Sequence, residues 1–143
     1  MMQSIESFKN LYDSFFEEKK VKIFSKIQND IEKHKYSYPP HTAKLDLFIS
    51  LIAKIYSIDE KILKDREYAN NLGVMNKNYR EASAMVYFIC LKKLNWSWND
   101  VVNYFKTNKP NIYRYISSLE ESKDKHFKEK YLYVMSKIDA IDF

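Results

Sequence analysis

A chain of 143 residues that contains one glycine, Gly73, and three prolines, Pro39, Pro40 and Pro110, has few residues with which to reverse direction tightly. Antiparallel sheets need Gly, Asn-Gly or Asp-Gly turns roughly every 8–12 residues. Long helices are therefore the expected outcome, and the fold class predicted is all-α. Hydrophobic residues make up 45% of the chain and aromatics 16%, which is too apolar for a disordered segment and enough for one buried core.

The apolar spacing supports this. Ser4 can cap a first helix in which Ile5, Phe8, Tyr12, Phe15 and Phe16 recur at three- and four-residue steps, and the pattern continues through Ile23, Phe24, Ile27 and Ile31. This is one long helix, or two broken near Glu17–Lys20. The segment from Tyr36 to His41 contains both consecutive prolines and breaks the pattern. The expected organisation is an N-terminal helical arm over 1–36, a Pro-containing linker over 37–42 and a helical domain over 43–143.

Within that domain, Thr42 opens a helix apolar on most sides and therefore central. A short helix follows from Asp59 to Lys64, with Gly73 in the loop after it. Another helix is expected from Lys77 to Leu94. Ser97-Trp98-Asn99-Asp100 reads as a capping box with Asp at its third helical position, so a helix begins there. Lys106–Lys109 form a turn, Pro110 suits the first turn of the next helix, and a last helix starts near Asp124.

Charge is concentrated in one stretch. Between Asn76 and Leu119 lie Lys77, Arg80, Lys92, Lys93, Lys106, Lys109 and Arg114 against only Glu81 and Asp100, which equals the +5 of the whole chain. A neutral scaffold carrying one basic segment is the electrostatic footprint expected of a phosphate binder. Catalytic signals are missing from the sequence. His34, His41 and His126 are isolated from one another and from Cys90, there is no G-x-S-x-G, and no cofactor is implied. Cys90 lies in an apolar run, as a packing residue does. A single cysteine suits a reducing cytoplasm. No apolar run reaches the length of a signal or membrane helix, so neither export nor membrane insertion is expected.

The unit from Ser97 to Glu121 has the proportions of a helix-turn-helix. On its second helix Ile112, Ile116 and Leu119 share one face with Tyr115 beside them, which turns Arg114 and Ser117 outward and places Asn111, Tyr113 and Ser118 at the sides. The segments Leu47–Glu60, Arg80–Phe88 and Trp96–Val101 are similar, in order and in residue type, to the opening helix, the long basic helix and the "L-S-L-x-x-I-G" helix of the C-terminal DNA-binding domain of the bacterial replication initiator DnaA. The resemblance covers about residues 45 to 140 and implies a duplex-binding helix-turn-helix. Where that family carries "R-D-H-S/T-T-V" this chain has Asn108-Lys109-Pro110-Asn111-Ile112, which keeps only the apolar anchor. The family's box specificity is not carried over, and no G-x-x-x-x-G-K-S/T nucleotide motif occurs.

The expectation is a non-enzymatic, stand-alone regulator or accessory factor of phage or mobile-element type that binds duplex DNA. Lys106, Asn108, Lys109, Asn111 and Arg114 would meet the groove, while Lys77 and Arg80 hold the backbone. The arm would pack on its own domain or form a homodimer. The alternative is a small phage-type inhibitor, of the anti-CRISPR kind, directed at a host protein or ribonucleoprotein.

Overall fold

The computed structural model describes the backbone of residues 5–33, 41–73 and 76–140 and the side chains of residues 9–23, 41–73 and 76–140. The double proline of the linker lies outside the described residues. Within them the chain is all-α: α1 (Ile5–Lys33), α2 (Thr42–Tyr56), α3 (Glu60–Lys64), α4 (Arg66–Leu72), α5 (Lys77–Phe88), α6 (Trp98–Phe105), α7 (Lys109–Glu121) and α8 (Lys125–Ala140). No helix among the described residues is long and apolar enough to cross a membrane.

α1 is one continuous helix. No Gly or Pro interrupts it, and Lys22 pairs with Glu18 one turn earlier at 3.2 Å, next to the suspected break. Its inner face joins the main core. Phe16 is buried with its ring 5.9 Å from that of Phe48 on α2, and Tyr12 lies against Tyr133 on α8. The Tyr133 hydroxyl donates to Asp13 Oδ1 at 2.8 Å, and Lys137 Nζ reaches the same oxygen at 2.8 Å. Burial works to raise the Asp13 carboxyl, but the bonds from Lys137 and Tyr133 outweigh it and hold it below the usual carboxylate range.

α2 is the centre of the bundle, with Leu45, Leu47, Phe48, Ile49, Leu51 and Ile52 all fully buried. Ser57 closes it in the left-handed region at φ 54°, and Asp59 caps α3 by accepting from the Lys61 amide. The periodicity did not reveal α4. Only Ala69 of its seven residues is buried, so it carries no apolar stripe. Asp65 caps it and Gly73, at φ 67°, ends it.

The helix expected over Lys77–Leu94 is shorter. α5 ends at Phe88 and continues as a π-helical turn, Ile89–Lys93, closed by the bond from the Leu94 amide to the Ile89 carbonyl at 2.9 Å. That wider turn puts Ile89, Cys90 and Leu94 all in the core. The Ser97–Asp100 capping box forms in full, with bonds of 3.0 and 3.1 Å in the two directions. α7 packs along α5 in the opposite direction: Tyr87 near the end of α5 stacks on Tyr115 at 5.8 Å, while Lys77 near its start lies by Ser122 beyond the end of α7.

Candidate nucleic-acid interface

α7 begins where Asn108 leaves the extended region and accepts the Asn111 amide on its Oδ1 at 2.9 Å. The side chain of Asn108 is thus occupied as a cap. Pro110 sits in the first turn, where its missing N–H has no partner to lose. Ile112, Tyr115, Ile116 and Leu119 are buried, so the register places Lys109, Tyr113, Arg114 and Ser118 in solvent and leaves Asn111 and Ser117 half-buried. Tyr113 is 68% exposed. Asn111 Oδ1 accepts from Arg114 Nη2 at 2.8 Å, which fixes both side chains on one face.

The seven residues singled out in the sequence fall into two groups. Lys106, Asn108, Lys109 and Asn111 surround the start of α7. Lys77, Arg80 and Arg114 line a groove of about 470 Å³ between α5 and α7. Arg114 belongs to both, because it bonds Asn111 and also faces the groove.

The cations are not equally available. Lys106, in the left-handed region at φ 55°, places its Nζ 3.2 Å from Asp65. Asp65 is held below the usual carboxylate range by the Tyr68 amide first and by Lys106 after it. Lys77 lies 3.1 Å from Asp124, whose carboxyl is lowered chiefly by that contact. Arg80, Lys109 and Arg114 have no ion pair among the described residues.

Sequence reasoning missed Arg66, the first residue of α4. Its Nη1 donates to the Tyr115 hydroxyl at 2.9 Å and its guanidinium lies 5.5 Å from the centre of that ring, on the wall of the same groove. Burial opposes its charge, but the bond to Tyr115 and the neighbouring phenols outweigh this and raise its pKa. The cap at Asp65 was the available signal, since it starts a helix at Arg66. Glu81 is the acid of the groove, and its carboxylate accepts the Tyr56 hydroxyl at 3.1 Å.

Cys90 is fully buried, and desolvation pushes its thiol well above the ordinary range, away from the thiolate a nucleophile needs. Among the described residues no three His, Cys, Asp or Glu side chains group as metal ligands. Trp96 is buried, while Trp98 at the start of α6 is 39% exposed. No protein-family model, no curated protein and no solved structure matches this chain.

Proposed function

We propose that the protein is a non-enzymatic DNA-binding regulator or accessory factor that offers the outer face of α7 to the major groove of a duplex, with α6, the turn and α7 serving as its helix-turn-helix. The observation that carries this reading is that Arg80 on α5 and Lys109 and Arg114 on α7 have no ion pair among the described residues. A cytoplasmic setting goes with it. Among the described side chains of α1, Leu11 is 57% exposed and open to a second copy, whereas Tyr12 and Phe16 are already turned into the bundle.

The test is a salt series with a random duplex. With about −0.9 in the slope of log K against log salt per phosphate, Arg80, Lys109 and Arg114 together give a slope of about −2.7, and about −4.5 if Lys77 and Lys106 leave their carboxylates. A slope near zero overturns the reading.

One observation favours the alternative. Tyr113 is highly exposed beside Arg114, and Tyr and Arg are the residue types that anchor protein interfaces. If a host protein or ribonucleoprotein is the partner, Tyr113→Ala abolishes its capture, and no duplex is shifted at low salt by either protein.

A further inference from the structure

The groove between α5 and α7 draws its cations from three helices. Arg66 comes from α4, Lys77 and Arg80 from α5, and Arg114 from α7. Its volume of about 470 Å³ is within the range of small-molecule sites. Ala84, Leu119 and Phe127 supply apolar lining, and the hydroxyls of Ser118 and Ser122 add short donors.

Like charges brought together in a cleft repel one another unless an anion sits among them. Two carboxylates are close. Glu81 accepts the Tyr56 hydroxyl, and Asp124 is paired with Lys77 at the rim. Among the residues that line the groove the cations outnumber the acids, four against Glu81 alone. Guanidinium groups offer the fork of donors that phosphoryl oxygens accept, and the Arg66 fork is already held in place by Tyr115.

We infer that this groove is a phosphoryl-binding site, in which Arg66, Arg80 and Arg114 hold the oxygens and Lys77 closes the rim. The phosphoryl group comes either from a nucleic-acid backbone or from a free nucleotide. The site stands whether or not a duplex is the partner.

The experiment titrates the full-length, isotopically labelled protein with pyrophosphate and with ADP, following the arginine side-chain resonances and the amides of Ser118 and Ser122. The expected result is saturation with shifts centred on the groove, weakened about tenfold by Arg80→Ala, the loss of one charged hydrogen bond. Lys92→Ala, exposed at the opposite end of the α5 segment from Lys77 and outside the groove, should leave pyrophosphate binding unchanged. Arg80 is exposed, so its removal should spare the fold, and a melting curve checks this. Arg80→Lys, which keeps the charge and loses the fork, should fall between the two.

Displacement of bound pyrophosphate by a short duplex identifies the backbone as the source. If ADP and pyrophosphate bind, and a duplex neither displaces them nor binds at low salt, the source is a free nucleotide; the DNA reading then fails while the groove stands. Absence of saturation by pyrophosphate, or shifts spread over surface lysines and indifferent to Arg80→Ala, overturns the site whatever the duplex does.

Discussion

α2 and α7 are close in length, 15 and 13 residues, yet α2 buries ten of its side chains and α7 only four. The difference lies in the sequence pattern. In α2 apolar residues occupy nearly every position between Leu45 and Tyr56, so the helix must be enclosed on most sides. In α7 they recur at Ile112, Tyr115, Ile116 and Leu119, so one face is committed to the bundle and the other remains in water. A helix surrounded on most sides can only support its neighbours, whereas a helix packed on one face against α5 has a rigid outer face to offer a ligand.

Removing Phe48 should produce the largest effect. It is fully buried in α2 and packs against Phe16, so Phe48→Ala should cost about 3–5 kcal/mol in denaturant unfolding. A loss under about 1 kcal/mol, the scale of a surface change, would show that α2 is not the centre of the core.

The contrast within α7 is sharper. Ile112→Ala should cost about 2–5 kcal/mol of stability, whereas Tyr113→Ala and Arg114→Ala, both exposed, should each stay within about 0.5 kcal/mol. Equal losses at Ile112 and Arg114 would break the division between the two faces.

The smallest effect concerns pH at the attachment of α1. In the folded protein the Asp13 carboxyl is held below its ordinary value of 3.8. The unfolded chain therefore takes up this proton first as the pH falls. The stability that Asp13 contributes is complete well above pH 3.8 and is lost as the pH falls through the folded value. Asp13→Asn should melt slightly below the parent at neutral pH and lose less than the parent on acidification. Identical acid profiles would mean that the contacts to Tyr133 and Lys137 do not hold α1 in place.

What the sequence revealed follows from the range of the interaction. The buried face of α7 was legible because helical spacing alone decides it, although Ser117, expected outward, is half-buried and Tyr113 and Ser118, expected at the sides, are exposed; the Ser97–Asp100 cap was legible because its residues are three apart. α4 was not, since a helix that buries one alanine has no periodic stripe to read. The π-helical turn escaped because the apolar run from Val86 to Leu91 fits an ordinary helix nearly as well. In the candidate site, the positions of Arg114 and Asn111 could be read, but the pairing of Lys77 with Asp124 and of Lys106 with Asp65 joins residues 47 and 41 apart. No local pattern encodes such distances. Arg66 was missed for the same reason, because Tyr115, which orients it, lies 49 residues downstream.

The contact between Asp13 and Tyr133 spans 120 residues, nearly the whole chain. During synthesis at about 5–20 residues per second, α1 would emerge and wait roughly 6 to 24 s before the hydroxyl that anchors it exists. Phe48 arrives much sooner, so an α1–α2 hairpin can shelter Phe16 while Asp13 has yet to meet Tyr133 and Lys137. α8 is thus the element that completes the seat of α1, and a chain terminated before Tyr133 would leave α1 held on only one side.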